Sequence, residues 1–226
     1  MRECSKSIMR RLGEPNFAGR YFVGDGIDIG GAPDPLALYE ELFPRMGVVR
    51  IWDQGDGDAQ FMHGVPDECV DFVHSSHCLE HLNDPVEGLR NWFRLVKPRG
   101  HLIVTVPDED LYEQAVFPST WNQDHKWTFT ILKENSWSPR SCNLLDMIRG
   151  LGAQADVQKL ELLTASYRFG LPRFDQTQTP VGEAGIELVV RKRPVEEVEF
   201  GGRRPPLGQI SEQGVALLTG QPPRRG

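Results

Sequence analysis

The chain contains no apolar run of the roughly 18 residues that a membrane-spanning helix needs. It has only four cysteines in 226 residues, all far apart and none in a CxxC pair, so neither a disulfide framework nor a zinc knuckle is indicated. The first 13 residues are basic but lack the continuous apolar stretch and the cleavage site of a signal peptide. These absences predict a cytoplasmic protein with reduced thiols.

Positive charge is also scarce. With 25 Lys and Arg against 32 Asp and Glu, the net charge at pH 7 is -7. This balance argues against a large electrostatic footprint on a nucleic-acid backbone, although a local basic patch could still hold a short strand end. A small-molecule or glycan partner is therefore favoured over nucleic acid, and the composition leaves the oligomeric state open.

The length fits one α/β domain with some additional chain. Strand and helix patterns alternate from Tyr21 onward, which predicts a doubly wound, mostly parallel sheet. We expect residues 1–20 to form an N-terminal extension, 21–193 the domain, and 194–226 a mobile tail rich in Pro, Gly, Glu and Arg. Residues 107–139 carry three of the five tryptophans and predict an insertion over the strand ends, where acceptor sites usually lie.

Three segments predict helix starts, because each places a capping residue before a proline at the first helical position. They are Asp34-Pro35, Asn83-Asp84-Pro85 and Ser138-Pro139. Apolar residues at helical spacing follow each of them, so we expect three amphipathic helices there.

Acidic residues and glycines end the first two predicted strands. The first runs into Asp28-Ile29-Gly30-Gly31-Ala32, a turn that lets the backbone approach a ligand and aims the next helix at it. A glycine turn alone is weak evidence, because any strand-to-helix turn can use two glycines. Asp53 ends the second strand, where a carboxylate can accept hydrogen bonds from both ribose hydroxyls. A dehydrogenase would need GxGxxG after the first strand, but Gly24-Asp25-Gly26 precedes it.

The order of these motifs resembles the class I methyltransferases, which use S-adenosylmethionine (SAM). Residues 28–32 resemble their first motif, although Ala32 and Asp34 stand where two further glycines are expected. Residues 57–59 resemble their adenine-contacting segment, and residues 79–81 resemble their LEH turn after the fourth strand. The resemblance implies a seven-stranded Rossmann-like sheet with helices on both faces. It also implies SAM contacts from the following residues: Asp28, Gly30, Gly31, Ala32, Asp53, Asp58, Ala59, Ser75 and His77.

A possible metal site follows the predicted strand at residues 70–74, which corresponds to the fourth strand of the family. His77, Glu80 and His81 are related as i, i+3 and i+4, so on a helical turn they would project from one face and could close on one ion. In the insertion, residues 124–130 resemble the DHKFEWT segment of the small-RNA 3′-end 2′-O-methyltransferases, which carry ExxEH at the helix. In that family the ion holds two vicinal hydroxyls of the acceptor.

That second resemblance implies His77, Glu80, His81 and His125 as ligands, with His77 in place of the family's first glutamate. Three imidazoles and one carboxylate suit zinc, iron, cobalt or manganese better than magnesium. An LEH turn also occurs in methyltransferases without a metal, where Glu80 would cap or pair and His81 would pack beside the cofactor. In that case His77 would line the methionine pocket.

These observations predict a SAM-dependent O-methyltransferase. His125 or a bound ion would lower the pKa of the acceptor hydroxyl, and Asp108 could orient or deprotonate it. We expect a sugar hydroxyl in polysaccharide assembly first, a small molecule second and an RNA end third. The alternative is a non-catalytic methyltransferase-like domain that only binds other proteins, with Ala32 and Asp34 marking a lost cofactor loop.

Overall fold

A mixed β-sheet lies at the centre of the computed structural model, which describes residues 3–206. Its strands are β1 (Gly24–Ile29), β2 (Met46–Trp52), β3 (Val70–Ser76), β4 (Val96–Pro107), β7 (Ala155–Leu162) and β8 (Gly185–Lys192), while β5 (Thr128–Thr130) and β6 (Ser141–Asn143) form a separate parallel pair. The order in the main sheet is β2-β1-β3-β4-β8-β7. Only β8 runs antiparallel to its neighbours, so the predicted α/β architecture with a mostly parallel sheet is confirmed.

The main sheet has six strands in the described range, one fewer than the seven expected. Residues 53–69, between β2 and β3, form turns instead of a further strand. The guanidinium of Arg94 holds these turns by donating to the carbonyl oxygens of Met62 and Val65. Because those backbone groups already have partners, the segment does not extend the sheet.

Helices lie on both faces of the sheet. They are α1 (Glu3–Leu12), α2 (Pro85–Leu95), α3 (Leu144–Arg149) and α4 (Val195–Glu199), together with short 3-10 helices at Leu36–Leu42, Leu79–His81 and Gln176–Gln178 and π-helical turns at Phe17–Tyr21 and Glu109–Glu113. Side chains alternate along β3, so Val73 packs with α2 and α3 while Phe72 packs with α1 on the opposite face. Within residues 3–206, none of the helices is long and apolar enough to cross a bilayer.

The predicted helix after Asp84 is confirmed. Asp84 accepts hydrogen bonds from the backbone N–H groups of Val86 and Glu87, and Pro85 occupies the first turn of α2. Trp92, fully buried on this helix, donates its indole N–H to the carbonyl of Ala59. The helix therefore anchors the turn that follows β2.

The predicted helix after Asp34 is present at Leu36–Leu42, but it is a 3-10 helix, and the predicted capping role of Asp34 is wrong. The Asp34 carboxylate instead accepts hydrogen bonds from Ser5 in α1 and from the Tyr39 hydroxyl. This long-range contact competes with local capping, because a carboxylate drawn towards α1 cannot also reach the first turn of its own helix.

The predicted helix start at residues 138–139 is also misplaced. The chain first forms β6, which pairs with β5 inside the expected insertion, and α3 begins only at Leu144. Glu109 draws this region together, since its buried carboxylate contacts Lys133, Ser136 and Ser141. Tertiary contacts therefore override the local start signal.

The segment expected to be an N-terminal extension packs on the sheet through α1. Arg11 of this helix is fully buried, and its guanidinium lies 2.9 Å from the carboxylate of Glu187 in β8. Arg10 and Lys159 contact the same carboxylate at 2.6 and 2.9 Å. Burial alone would raise the pKa of Glu187, but the surrounding cations, Arg11 first, hold it far below its usual range.

Part of the expected C-terminal tail is ordered against the sheet. Glu197 of α4 pairs with Arg191 of β8 at 2.7 Å, and Arg203 lies 3.2 Å from Asp156 of β7. The remainder of the tail, residues 207–226, lies outside the described residues. Its predicted mobility stays a prediction.

Candidate functional site

A cavity of about 1100 Å³ opens at the carboxyl ends of β1, β2 and β3. Ligands of doubly wound α/β proteins bind at this edge, because the strand ends and the following turns leave a crevice there. The sequence-predicted cofactor residues that line it are Asp28, Gly30, Gly31, Ala32, Asp53, Asp58, Ala59 and His77. Eight of the nine predictions therefore converge on one cavity, and Ser75 is the exception.

The glycine turn after β1 is shaped by close contacts. Gly30 has φ +72, and a Cβ there would lie 2.8 Å from the side chain of Cys78. A Cβ on Gly31 would lie 2.5 Å from the carboxylate of Asp28. Ala32 is tolerated, and its N–H donates to Asp53 at 3.0 Å. The turn therefore keeps glycine at the two positions where a side chain would collide.

Asp28 lines the cavity, and its carboxylate is also held by Leu36 and His74. Its carboxylate accepts a hydrogen bond from the backbone N–H of Leu36 at 2.7 Å and lies 2.6 Å from Nδ1 of His74. Nε2 of His74 in turn contacts Arg11, at 3.1 Å. Asp28 thus holds the turn that follows β1 as well as facing the cavity.

Asp53 and Asp58 also line the cavity. Asp53 ends β2, and its carboxylate accepts from the N–H groups of Ala32 and Gln54. Asp58 accepts from the N–H of Gln60. Ser75 does not line the cavity: it is fully buried, and its hydroxyl donates to the carbonyl of Ile29, tying β3 to β1.

Replacing Asp53 by alanine is expected to weaken binding of SAM and of its demethylated product by about 1.5 to 3 kcal/mol, or one to two orders of magnitude in affinity. The change removes a predicted contact to the ribose hydroxyls and releases the N–H of Ala32. Titration calorimetry of both ligands measures the effect. Asp146→Ala, an exposed residue of α3 outside the cavity, is the matched control. Equal affinities in both variants would rule out the predicted cofactor contact of Asp53.

Helix α1 supplies two wall residues that sequence reasoning missed, Glu3 and Cys4. The prediction treated residues 1–20 as an extension outside the domain. A signal was available, because Cys4, Ile8 and Arg11 recur at helical spacing and are among the residues that α1 buries. An amphipathic helix this regular needs a partner surface, and here that surface is the sheet beside the cavity.

Glu80, His81 and His125 lie close together beside the cavity, and His81 is part of its wall. Their ligand atoms all lie within 4.8 Å of one another. Oε1 of Glu80 is 3.8 Å from Nε2 of His125 and 4.0 Å from Nε2 of His81. The backbone N–H of Lys126 donates to the carbonyl of Glu80, which fixes the insertion over the turn that follows β3. The structure thus joins the two sequence-distant halves of the predicted metal site.

Within residues 3–206, both carboxylate oxygens of Glu80 and Nε2 of His125 are buried without a hydrogen-bond partner, and Nδ1 of His77 approaches Oε1 of Glu80 only to 3.4 Å. Buried polar atoms are nearly always satisfied, so a group of unpaired atoms in one place fits a site for an absent ligand. Burial opposes ionisation of Glu80, but the His77, His125 and His81 side chains hold its pKa below the ordinary value. An ionised carboxylate facing two imidazoles is a donor set for a divalent ion.

The Nδ1 atoms of His81 and His125 already have hydrogen-bond partners. Nδ1 of His81 lies 3.1 Å from the carbonyl oxygen of Asp124, which can only accept, so Nδ1 carries the proton. Nδ1 of His125 lies 2.8 Å from Oε1 of Glu113. Both Nε2 atoms therefore keep a free lone pair, as metal-binding histidines require.

His77 lies beside this group but outside it. The helical turn covers only Leu79–His81, and His77 precedes it with φ +55, so the expectation that His77, Glu80 and His81 share one helical face is wrong. Nδ1 of His77 lies 3.4 Å from Glu80, and Nε2 lies 3.9 Å from Glu3. His77 thus stands between two carboxylates, and these contacts raise its pKa against the opposing effect of burial.

Asp108, predicted to act on the acceptor, lies at the end of β4 away from the cavity wall. It is buried, and its carboxylate accepts from the N–H groups of Asp110 and Leu111, which caps the turn Glu109–Glu113. Burial raises the pKa of Asp108 to about 6. Its position indicates that it shapes this turn, whose last residue, Glu113, was absent from the predicted site.

The cavity wall is predominantly acidic. Its carboxylates come from Glu3, Asp28, Asp34, Asp53, Asp58 and Asp124. The lining includes a single lysine, Lys126, whose ammonium donates to the side chain of Asn83. Asn122 and Gln123 add uncharged polar groups on the insertion side. Within residues 3–206, the chemistry of this wall favours neutral hydroxylated ligands over anionic ones.

The glycine turn, the acid that ends β2 and the cavity at the strand ends define an α/β protein that binds a nucleotide-like cofactor. Residues 4–145 match the family described as methyltransferase domain. The match covers more than half of the chain, which therefore belongs to this family and is a SAM-dependent methyltransferase. The alternative of a non-catalytic domain had rested on Ala32 and Asp34, which the fold accommodates without closing the cavity.

Solved structures have the same fold. A SAM-dependent methyltransferase from Archaeoglobus fulgidus is 19% identical over 85% of this chain and 95% of that chain, with a TM-score of 0.52. A candidate methyltransferase from Bacillus halodurans C-125 is 13% identical over 83% of this chain and 99% of that chain, with a TM-score of 0.54. A third match is the Haloferax volcanii complex between the Trm112 methyltransferase activator and a candidate methyltransferase. It is 14% identical over 85% of this chain and 90% of that chain, with a TM-score of 0.51. No curated protein matches the chain.

Proposed function

We propose that this methyltransferase acts on a hydroxyl oxygen, with a divalent ion held by Glu80, His81 and His125. The observation that carries the proposal is the buried, unpaired carboxylate of Glu80 facing unpaired imidazole nitrogen beside the cofactor cavity. The convergence of the turn after β3 with the insertion supports it, because the two segments are 43 residues apart in sequence and lie together here.

One carboxylate and two imidazoles favour manganese, iron, cobalt or zinc over magnesium, which prefers oxygen ligands. When bound, the ion would supply Lewis acidity that lowers the pKa of the acceptor hydroxyl. SAM supplies the electrophilic methyl group. The protein would align the acceptor oxygen with the sulfonium and exclude water, which are its principal contributions to an in-line transfer.

The proposed acceptor is a neutral polyhydroxylated molecule, and a sugar hydroxyl is our first choice. Asp124 and Glu3 would repel a phosphate, and the one lysine of the wall is already paired with Asn83. Asn122 and Gln123 offer both donors and acceptors to hydroxyl groups. A natural-product hydroxyl ranks second and an RNA end third, because the latter would bring phosphates to this wall.

Chelation tests the role of the ion. We expect exhaustive chelator treatment to abolish turnover on a responsive sugar or small-molecule acceptor, and Mn²⁺, Co²⁺ or Zn²⁺ to restore it, because the ion would activate the acceptor oxygen. The measurement is release of demethylated cofactor across an acceptor panel, with elemental analysis of the purified protein. SAM affinity before and after chelation is the control. Full activity without a stoichiometric ion contradicts the metal, and methylation of amines alone contradicts the oxygen acceptor.

A further inference from the structure

We infer that Glu113 is a positioning residue that fixes the tautomer of His125 and so aims its Nε2 lone pair at Glu80. This inference rests on the proposed function, because it assigns how one member of the proposed site is prepared. Glu113 lies on the turn Glu109–Glu113, which belongs to neither of the sequence motifs that predicted the site. The side chain of Glu113 contacts the site at Nδ1 of His125.

The two nitrogens of His125 face different carboxylates. Nδ1 is 2.8 Å from Oε1 of Glu113, a hydrogen-bond distance, whereas Nε2 is 3.8 Å from Oε1 of Glu80 and has no partner. A neutral imidazole carries one proton, and a carboxylate accepts it. The shorter contact therefore keeps the proton on Nδ1, and Nε2 is left as the ligating atom.

Burial makes this assignment strong. The side chains of Glu113 and His125 are each 1% exposed, so water does not compete for the proton. The ring of Tyr112 packs against the imidazole with centroids 5.1 Å apart, and the His81 ring packs at 5.1 Å and 71°. A half-turn of the imidazole about its Cβ–Cγ bond would put ring carbons where Nδ1 and Nε2 now lie, so the contact with Glu113 would be lost. The orientation is therefore fixed by packing and the proton by Glu113.

The backbone around Glu113 is held in an uncommon conformation. Gln114 and Ala115, which follow it, have φ +53 and +65, values that side-chain-bearing residues rarely adopt. The guanidinium of Arg173 donates to the carbonyl of Glu113 at 2.9 Å and lies over the Trp121 ring at 4.4 Å. Strain of this kind persists where surrounding contacts over-determine it. Here those contacts present Glu113 to His125.

The tautomer itself is the direct test. Histidine labelled with nitrogen-15 in the metal-free protein gives long-range nitrogen–proton correlations that distinguish Nδ1–H from Nε2–H, and the His125 signal is assigned by its loss in His125→Gln. We expect Nδ1–H in the wild type and in Glu113→Gln, which keeps an acceptor oxygen. In Glu113→Leu we expect Nε2–H or a mixture. An unchanged Nδ1–H signal in folded Glu113→Leu overturns the inference.

Binding of Mn²⁺ alone supplies a second measurement. We expect Glu113→Leu to lower Mn²⁺ affinity by about 10- to 100-fold, the usual effect of removing a group that orients a ligand, and Glu113→Gln to lie between it and the wild type. Glu134→Gln, an exposed glutamate of the same insertion, is the matched control and should change nothing. If Glu113→Leu does not fold, Mn²⁺ affinity of Glu113→Gln equal to that of the control overturns the inference.

The two proposals fail differently. Absence of Mn²⁺, Co²⁺ and Zn²⁺ binding to the wild type would sink the metal-assisted function, while a Glu113-dependent Nδ1–H tautomer would still stand and would prepare His125 as a base. If the wild type binds metal but the His125 tautomer does not change in Glu113→Leu, the proposed function stands and the positioning role of Glu113 is rejected. Neither result can be mistaken for the other.

Discussion

Glu80→Gln is expected to abolish methyl transfer while leaving the affinity for SAM unchanged. Glu80 is the one carboxylate of the proposed metal site, and an amide oxygen carries no charge to balance a divalent ion. Loss of the ion removes several kcal/mol of transition-state stabilisation, roughly a thousandfold or more in rate. The predicted cofactor contacts at the ends of β1 and β2 lie on other residues, which line the cavity.

Three measurements on one preparation check this prediction: Mn²⁺ binding, SAM binding by calorimetry and release of demethylated cofactor with a responsive acceptor. Glu134→Gln repeats the substitution on the exposed face of the insertion and should behave as wild type. Wild-type turnover in Glu80→Gln would place the chemistry elsewhere. A parallel loss of SAM affinity would mean that Glu80 organises the whole cavity rather than its acceptor end.

Glu187→Leu is expected to produce the largest loss of stability, about 3 to 5 kcal/mol in the free energy of unfolding. The substitution leaves the guanidinium of Arg11 fully buried without its anion. Arg10 and Lys159 keep other partners, Glu183 and Glu14, so the effect is concentrated on Arg11. Leucine keeps the apolar bulk of the side chain, and the lost term is therefore electrostatic.

Urea unfolding of the metal-free protein measures this effect. Glu161→Leu is the matched control, because Glu161 contacts the same Lys159 but its side chain is 45% exposed, and such pairs contribute only about 0 to 1 kcal/mol. Adding Arg11→Met to Glu187→Leu should recover part of the loss, since the unpaired buried charge is then gone. Similar midpoints for Glu187→Leu and Glu161→Leu would exclude the buried network as a source of stability.

The same network sets a pH dependence. The pKa of Glu187 is lowered in the folded protein, so its contribution is fully present above the ordinary pKa of glutamate, about 4.3, and is lost as the pH falls towards the folded value. Wild-type stability should therefore decrease with acid below about pH 4.3 more steeply than that of Glu187→Leu. Urea titrations across this range make the comparison.

Most strands and one helix could be predicted because local pattern and tertiary environment agree there. The apolar strands at 48–52, 101–106 and 186–191 and the helix capped by Asp84 correspond to β2, β4, β8 and α2. The helix predicted after Asp34 forms, but Asp34 does not cap it, because its carboxylate accepts a hydrogen bond from Ser5, 29 residues away. No local pattern contains that partner, so the outcome depends on where α1 packs.

The candidate site likewise contains residues that the sequence could predict and residues that it could not. Motif order brought the glycine turn, Asp53, Glu80, His81 and His125 together, since strand ends of a parallel sheet meet at one edge. Glu113 could not be predicted, because its contact with His125 depends on a π-helical turn and two left-handed residues. His77 was expected beside Glu80 on a regular helical face, and a left-handed residue changed its direction.

Placement of Glu3 and Cys4 in the cavity wall matters for how the protein is handled. A polypeptide joined ahead of Glu3 starts beside the cavity, so a histidine-rich affinity tag at that end would compete for divalent ions. The other end of the described chain follows α4, which contacts Arg191 on β8, outside the cavity wall. Turnover and metal analysis therefore call for protein without a histidine-rich amino-terminal tag.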